Sequence, residues 1–376
     1  MMNNLICQEC PNGCSLVFEW KDDTHALIAG NQCSRGVGYA GRILRREKNV
    51  TLLAKEKTPA VSEATLKSIA LSWGIQLSRV RYDISVQGSP ERTVFRVVLE
   101  DNVKNLFVLE QLLIKSLTVK RNIAKVLELL SQRQLACIRP YLVSVKGDFV
   151  VKHKSSFWQM APFVPGVELD RRTYMHDKWR GPVLAGFLIE LREKSKEIPF
   201  LDMKKIFSLK DYVYRLAGHV KMYHDADKGE IPFVMDFLEK EFMPSYAKLP
   251  VSFCHGDYHP MNIIWSKDKM NTVIDWEFLG YKSEIYDLAN LVGCIGVEDP
   301  LALSGELVRS FIAKIKKAQM ISDVSWTYFL EFIVALRFAW LSEWMRRRDQ
   351  EMIALEMDYM RLLIDRKTLL REHWDL

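Results

Sequence analysis

The chain has 376 residues, of which 48% are hydrophobic and 27% charged, and its formal net charge is +6 at pH 7. This composition is ordinary for a soluble protein, and the length predicts two or three domains with ample material for a core. The positive charge is modest and scattered along the chain, so it does not call for a nucleic-acid partner.

The amino-terminal residues show no targeting signal. Met1-Met-Asn-Asn-Leu-Ile lacks the basic and then long apolar regions of a signal peptide. The longest apolar helical stretch, Phe329 to Leu341, contains Glu331 and Arg337 and is shorter than the about 20 residues that span a bilayer. We therefore expect a cytoplasmic protein without membrane association.

Four of the seven cysteines lie in the first tenth of the chain. Their spacing, C-x2-C-x3-C followed after eighteen residues by another cysteine, is typical of metal ligands; the four are Cys7, Cys10, Cys14 and Cys33. Four thiolates suit tetrahedral zinc or an iron-sulfur cluster, and the spacing does not choose between them. Beside them, the alternation of Ser15 to Trp20 predicts a strand.

This segment also resembles known cysteine-rich domains. Cys10-Pro-Asn-Gly-Cys14-Ser-Leu-Val, followed by Gly30-Asn-Gln-Cys33-Ser-Arg-Gly36, is similar to the cluster-binding start of molybdopterin oxidoreductases, although these have a longer final gap. It is also similar to small bacterial domains that accompany anaerobic glycerol-phosphate flavoproteins. The resemblance implies a metal-binding module at residues 1–45, with a structural metal favoured over a redox centre, and a flavoprotein oxidoreductase as a candidate partner.

A basic, polar linker at residues 46–59 leads to a β-rich region at residues 60–165. Periodicity predicts helices over Glu63–Trp73 and Asn122–Gln132. Alternation predicts strands over Tyr82–Gln87, Thr93–Leu99, Asn105–Leu109, Phe149–Val151 and Phe157–Phe163. The turn Gln87-Gly-Ser-Pro-Glu-Arg92 either covers a phosphate or is an ordinary hairpin.

The rest of the chain, residues 166–376, is predicted to be a helical lobe. One apolar stripe marks a helix through Val183, Leu184, Phe187, Leu188 and Leu191. A second helix is predicted over Trp326–Arg346.

Within this lobe, Cys254-His-Gly-Asp-Tyr-His-Pro-Met-Asn-Ile-Ile-Trp265 is followed after eight residues by Ile274-Asp-Trp-Glu277. An apolar lead-in places Asp257 on a His-Gly turn, Asn262 lies five residues on, and a β-rich segment ends at Asp275. Magnesium prefers carboxylate and amide oxygens, so Asn262 and Asp275 are the expected ligands of Mg²⁺ bound with ATP. Asp257 is then the expected base for a substrate hydroxyl.

These residues resemble the aminoglycoside phosphotransferase and choline kinase group of small-molecule kinases. The resemblance implies an α+β, protein-kinase-like two-lobe fold, with a β-rich lobe that binds nucleotide and a helical lobe that carries the catalytic loop. It implies that Asp257 is catalytic and that Asn262 and Asp275 bind magnesium. It further implies that Asp287 in Tyr286-Asp-Leu-Ala289 braces the loop and that His255 is a hydrogen-bonding residue of the site. The interlobe hinge, around Met160, Pro162 and Val164, would hold adenine through backbone amides.

The chain departs from this group at the phosphate-binding lysine of the third strand, which normally pairs with a helix glutamate. Glu110 stands where that lysine is expected, and Arg121 stands near the usual glutamate. One hypothesis is a charge swap in which Arg121 contacts phosphate and Glu110 orients it; the others are a shifted register or use of Lys115. If none of these supplies a cation, a nucleotide-binding regulatory pseudokinase becomes the better description, with the cysteine module sensing metal or redox state or docking a flavoprotein.

The motif does not specify which small molecule accepts the phosphoryl group. In the family its pocket lies between the catalytic loop and carboxy-terminal helices, which makes candidates of Glu331, Arg337, Trp340, Glu343 and Trp344. Tryptophans and carboxylates favour a cationic acceptor such as an amino alcohol or amino sugar, whereas Arg337 favours an anion. The sequence thus predicts a Mg-ATP-dependent kinase of an amino sugar, amino alcohol, sugar or amino acid.

Overall fold

The computed structural model describes residues 4–6, 15–20, 25–29, 51–54, 61–86, 93–199, 201, 206–223, 230–240 and 242–376. The four clustered cysteines and the turn at Gln87–Arg92 lie outside these residues. Contacts divide the chain into two units. The first comprises Met1–Asn105, Leu109–Leu113 and Lys152–Trp158, and the second comprises Leu106–Val108, Ile114–Val151 and Gln159–Leu376.

Four short strands begin the first unit. They are β1 (Asn4–Ile6), β2 (Ser15–Trp20), β3 (His25–Ala29) and β4 (Thr51–Ala54). They form one sheet in sequence order, antiparallel between β1, β2 and β3 and parallel between β3 and β4. The predicted strand over Ser15–Trp20 is confirmed.

Helix α1 spans Glu63–Ala70 and continues as a 3-10 turn over Leu71–Trp73. The Ser62 hydroxyl accepts a hydrogen bond from the Thr65 N–H (3.3 Å), which satisfies one of the free donors at the helix start. Gly74 ends the helical segment with φ +71°, a left-handed conformation that favours glycine. The predicted helix over Glu63–Trp73 is confirmed.

A second sheet has the strand order β5-β6-β7-β9-β8. Its strands are β5 (Leu77–Arg81), β6 (Thr93–Asp101), β7 (Leu106–Leu112), β8 (Val150–His153) and β9 (Ser156–Pro162). The predicted strand over Tyr82–Gln87 is wrong: the strand ends at Arg81, whose guanidinium bonds the Asp83 carboxylate (2.8 Å) across a turn. Between β7 and β8 lies α2 (Leu117–Gln132), which begins five residues earlier than predicted.

The helical part of the second unit contains the predicted apolar helices. Its helices are α3 (Arg180–Lys194), α4 (Leu209–Tyr223), α5 (Glu230–Lys240), α6 (Phe242–Ser245), α7 (Tyr286–Glu298), α8 (Glu306–Lys317), α9 (Asp323–Thr327), α10 (Phe329–Arg347), α11 (Gln350–Asp365) and α12 (Lys367–His373). Helix α3 packs closely against α8. Gly181 permits this approach, since a Cβ there would lie 2.2 Å from the Ser310 Oγ. The first ten residues of α10 are all buried, as expected of a central helix. Among the described helices, none combines the length and apolarity that crossing a membrane requires.

Two small two-stranded sheets lie in the same unit. Strand β10 (Val251–Cys254) pairs antiparallel with β13 (Gly280–Ser283), and β11 (Ile263–Trp265) pairs antiparallel with β12 (Met270–Val273). The loops that join these four strands contain the predicted catalytic residues. Their geometry therefore follows from the pairing of the strands.

Candidate active site

The loop after β10 is held by Asp287, in the first turn of α7. The two Asp287 carboxylate oxygens accept hydrogen bonds from the N–H groups of His255 (2.7 Å) and Gly256 (2.8 Å). Gly256 has φ +86°, and a Cβ there would lie 2.2 Å from the Phe278 carbonyl oxygen, so only glycine fits. Burial raises the pKa of Asp287 to about 6. This geometry is that of a bracing residue.

His255 is fully buried and is bonded to backbone through both ring nitrogens. Its Nδ1 accepts a hydrogen bond from the Asp257 N–H (3.2 Å), so its Nε2–H donates to the Ile274 carbonyl (3.0 Å). Burial lowers the pKa of His255 to about 4, which keeps the ring neutral at pH 7. The imidazole therefore joins the catalytic loop to the segment before Asp275 and has no substrate-facing nitrogen.

Asp257 and Asn262 meet within one loop. The Asn262 amide nitrogen donates to the Asp257 Oδ2 and to the Asp257 carbonyl, both at 2.9 Å. On the other side, the His259 Nε2 lies 3.6 Å from the Asp257 Oδ1. Burial by itself would raise the pKa of Asp257, but the interactions with His259, His255 and Asn262 outweigh it and place the pKa below its ordinary value. Asp257 is thus an ionised, oriented carboxylate at neutral pH.

Asp275 adopts an unusual backbone conformation at the end of its strand segment. It is exposed, with φ +61° and ψ +58°, and it caps a 3-10 turn over Trp276–Phe278. The Ile274 N–H donates to the Asn262 carbonyl (2.9 Å), which places the two predicted magnesium ligands on adjoining backbone segments. A left-handed aspartate is strained, and such strain persists where the surroundings impose it.

These donors fit a magnesium ion that is bound together with phosphates. Because the Asn262 nitrogen donates to Asp257, the Oδ1 is the atom of this side chain that could bind a metal. Within the described residues, no group of three or more His, Cys, Asp or Glu side chains is arranged to hold a metal by itself.

The hinge residues fall at the end of β9. The Met160 side chain is fully buried, and its carbonyl accepts from the Leu142 N–H (2.8 Å). The Phe163 N–H donates a hydrogen bond to the Leu106 carbonyl (2.8 Å). Pro162 has no N–H, so among the three predicted hinge residues it can offer only a carbonyl, while Val164 lies just past the strand and retains a donor.

The residues of the hypothetical charge swap do not show the expected pattern. In the first unit, the buried Glu110 accepts a bond from Arg96 (3.1 Å). In the second unit, Arg121 is exposed on α2. Its neighbour Lys120 is buried instead, and the Lys120 ammonium lies 2.6 Å from the Glu277 carboxylate. The sequence analysis overlooked Lys120, although it shares the apolar helix face of Ile123 and Leu127 and so breaks the pattern of that face.

The candidate acceptor residues on α10 fall into two groups. Arg337 is buried and forms a two-pronged ion pair with the buried Glu356 on α11, with its Nε 2.8 Å from one oxygen. Glu331 pairs with Lys367 and lies nine residues, or about 14 Å of helix, before Trp340. Glu343 is bonded to Arg346 and Arg347. The expectation that Arg337 attracts an anionic acceptor is therefore not supported, because Glu356 neutralises it.

Trp340 and Trp344 are the candidates with exposed aromatic surface. Their rings stack at 6.5 Å, and the Trp340 ring contacts the His259 ring at 6.0 Å, edge to face. His259 in turn lies beside Asp257. His259 was not among the predicted site residues, although its place two residues after Asp257 in the same motif was a usable signal.

Comparison with protein families gives an independent result. Residues 93–318 match the family described as the phosphotransferase enzyme family (APH). No curated protein matches the chain by sequence.

Solved structures of similar fold include an amicoumacin kinase, hAmiN, determined with AMP-PNP and Ca²⁺; it is 12% identical, with TM-score 0.57 and coverage of 81% of this chain and 93% of that chain. An aminoglycoside phosphotransferase from Alicyclobacillus acidocaldarius is 12% identical, with TM-score 0.55 and coverage of 84% and 98%. A spectinomycin phosphotransferase determined with ADP and spectinomycin is 14% identical, with TM-score 0.55 and coverage of 81% and 94%. At these identities the likeness establishes the mixed α/β, kinase-like fold, which confirms that prediction and leaves the cysteine module untested.

Proposed function

The chain belongs to the phosphotransferase enzyme family, and from that premise we propose that it transfers the γ-phosphoryl group of ATP to a hydroxyl of a small molecule. The observation that carries the proposal is the loop in which Asp257, ionised and bonded to Asn262 at 2.9 Å, adjoins the left-handed Asp275. Members of this class owe most of their acceleration to positioning and electrostatics. The arrangement supplies both.

Asp257 is the proposed base. As the acceptor oxygen forms its bond to the γ-phosphorus, the bond from phosphorus to the bridging oxygen of ADP breaks, and the hydroxyl proton passes to Asp257. Asn262 keeps the Oδ2 of Asp257 in place, and we assign the substrate hydroxyl to the Oδ1, which lies 3.6 Å from the His259 Nε2. Asn262 and Asp275 would hold Mg²⁺, which when bound neutralises phosphate charge. His255 and Asp287 act by holding the loop backbone.

We further propose that the acceptor carries an amine or an apolar face. The Trp340 ring lies edge to face against His259, Trp344 stacks on Trp340, and Arg337 is neutralised by Glu356. The protein's own guanidinium groups lie over both rings, Arg337 over Trp340 (5.6 Å) and Arg347 over Trp344 (5.4 Å), so the negative charge that favours a cationic acceptor comes from the ionised Asp257. Amino alcohols and amino sugars fit this environment better than anionic acceptors.

For the amino-terminal residues we propose a metal-binding module, with Cys7, Cys10, Cys14 and Cys33 as ligands to zinc or an iron-sulfur cluster. The support is their spacing alone. A flavoprotein partner for this module remains a hypothesis from resemblance. Metal analysis of the intact chain and of a chain without residues 1–60 tests the module.

The test of the proposed function is phosphoryl transfer from γ-labelled ATP to a pool of small alcohols, including amino alcohols and amino sugars, by anaerobically purified protein. Asp257→Ala is expected to lower transfer by about 10²- to 10⁴-fold, as loss of a general base does, while Mg-ATP binding persists. Asp275→Ala is expected to weaken both. Asp268→Ala, an exposed aspartate in the turn between β11 and β12, is the matched control and should change neither.

The second candidate function is a regulatory pseudokinase, and the carboxylate Glu110 at the expected lysine position is the observation that favours it. Tight Mg-ATP binding with no labelled product from any acceptor would support this reading. Wild-type turnover by Asp257→Ala would remove Asp257 as the base.

A further inference from the structure

A buried ion pair joins α2 to the turn after Asp275. The Lys120 ammonium lies 2.6 Å from a Glu277 carboxylate oxygen, and the side chains are 2% and 14% exposed. The mechanism proposed above uses neither residue. Both belong to the second unit of the chain, together with Asp257, Asn262 and Asp275.

A lysine at this position is energetically expensive. It shares a helix face with Ile123 and Leu127, which are core residues. Removing an ammonium from water is costly, and its ion pair offsets that cost only with good geometry. An apolar residue at the same place would pack with its neighbours without this cost, so packing alone does not explain the lysine.

The partner carboxylate places this ammonium next to the magnesium ligands. Glu277 lies two residues after Asp275, on the single 3-10 turn that Asp275 caps. The Asn262 carbonyl accepts from the N–H of Ile274, one residue before Asp275. The Lys120 ammonium therefore lies against the turn that begins after Asp275, one of the two residues assigned to Mg²⁺.

The third strand does not provide this charge. Its residue at the expected lysine position is Glu110, which is paired with Arg96. A nucleoside triphosphate needs a side-chain cation in addition to Mg²⁺ to neutralise the phosphates. An ammonium has three N–H donors, so a lysine can bond a carboxylate and a phosphate oxygen at the same time.

We propose that Lys120, on α2, is the phosphate-binding cation of this enzyme and that Glu277 is its positioning residue. The inference rests on the proposed function in that it assumes a nucleotide substrate. It replaces the charge swap through Arg121, because Arg121 is exposed and Lys120 is buried at the site. It also gives Glu277 a role distinct from that of Asp275.

The first experiment measures dissociation constants of the full-length protein for Mg-ATP and for adenosine, which lacks phosphates. Lys120→Met is expected to weaken Mg-ATP binding at least tenfold and to leave adenosine binding unchanged. Arg121→Met, at the neighbouring exposed position, should change neither. Equal Mg-ATP affinity in Lys120→Met, or equal loss of both ligands, would overturn the proposal, because the second result indicates a structural role only.

A second measurement needs no variant and so does not depend on whether Lys120→Met folds. An ATP derivative with an acyl group on its terminal phosphate transfers that acyl group to a nearby lysine amine, forming an amide and releasing ATP. Mass spectrometry of the wild-type protein is expected to find the amide on Lys120, suppressed by excess ATP. Labelling at Lys115 with Lys120 unmodified would contradict the proposal.

These readouts separate the two proposals. Selective loss of Mg-ATP binding in Lys120→Met without any product from the wild-type protein would uphold the lysine assignment and refute the transferase activity. Product formation by both the wild-type protein and Lys120→Met at equal Mg-ATP affinity would do the reverse. If the wild-type protein binds Mg-ATP no more tightly than adenosine, both the lysine assignment and the transferase activity are overturned.

Discussion

Asp287 shows how a single buried carboxylate organises the catalytic loop. Its two oxygens accept the N–H groups of His255 and Gly256, and the loop turns at a glycine that no other residue could replace without a clash. Two acceptor oxygens are needed for the two donors, so the bracing depends on the ionised form. Burial, however, raises the pKa of Asp287 to about 6 and disfavours that form.

This conflict predicts an acid limb in the rate. Activity should fall as the pH decreases through about 6, because protonation of Asp287 removes acceptor capacity from the loop. The limb does not belong to Asp257, whose pKa lies below its ordinary value. The measurement is kcat as a function of pH for the wild-type protein and for Asp287→Asn, which should be less active at pH 7, by about tenfold or more, and show no limb near pH 6.

Asp287 affects stability in the opposite direction from activity as the pH rises. The folded-state pKa of about 6 exceeds the ordinary 3.8, so between these pH values the folded chain binds more protons than the unfolded chain. The contribution of Asp287 to the free energy of unfolding therefore falls as the pH rises through this window. In the kinetic experiment, a decrease of kcat near pH 6 that persists in Asp287→Asn would show that another group causes it.

At the scale of elements, a buried ion pair joins α10 to α11. Arg337 on α10 and Glu356 on α11 are both buried, and the Trp344 Nε1–H also donates to Glu356 (3.2 Å). The pair withdraws the arginine charge from the candidate acceptor surface. The bond from Trp344 to Glu356 also holds Trp344, and the Trp340 ring stacked on it, in place relative to α11.

Breaking this pair from one side should be costly. Glu356→Gln leaves the Arg337 guanidinium buried without its counter-charge, and a loss of about 3–5 kcal/mol in the free energy of unfolding is expected. The double variant Arg337→Met with Glu356→Leu should recover most of that loss, because it buries no charge. Urea unfolding measures both.

The exposed pair between Lys178 and Glu306 (3.0 Å) provides the control. Lys178→Met should change the free energy of unfolding by less than about 1 kcal/mol, as is usual for surface ion pairs. A loss of similar size in Glu356→Gln and Lys178→Met would refute the special cost of the buried pair.

At the scale of the whole molecule, the chain joins a family domain to an amino-terminal segment of different character. The family match begins at residue 93, and solved relatives are covered almost completely by about four-fifths of this chain. The cysteine cluster lies outside the matched residues. Phosphoryl transfer should therefore not require that cluster.

A chain without residues 1–60 is expected to retain transfer within about threefold, an order-of-magnitude allowance for context, and, if the four cysteines form the proposed module, to bind no zinc or iron. Elemental analysis and the labelled-ATP assay check the two outcomes, with the full-length double variant Cys10→Ser and Cys14→Ser as the matched comparison. Loss of transfer in both proteins would show that the module regulates the enzyme. Metal retained by the shortened chain would refute the four cysteines as its ligands.

Local sequence determined the features whose residues are close together in the chain. Asp257 and Asn262 lie in one loop, and their contact follows from a five-residue spacing, so the motif alone indicated it. Helices α1 and α3 were predicted because apolar periodicity records one buried face. The strand at Tyr82–Gln87 was predicted wrongly because alternation does not reveal the Arg81–Asp83 turn that ends β5.

Only the tertiary structure decided which charges meet. Lys120 and Glu277, like Arg337 and Glu356, come from separate elements, and nothing in their local spacing pairs them. In a sequence a buried charge looks like a solvated one; packing alone decides where it lies, and the cost of burying it makes a close partner necessary. The motif therefore predicted the proposed reaction centre, while the folded chain pointed to Lys120 as the candidate for the missing cation.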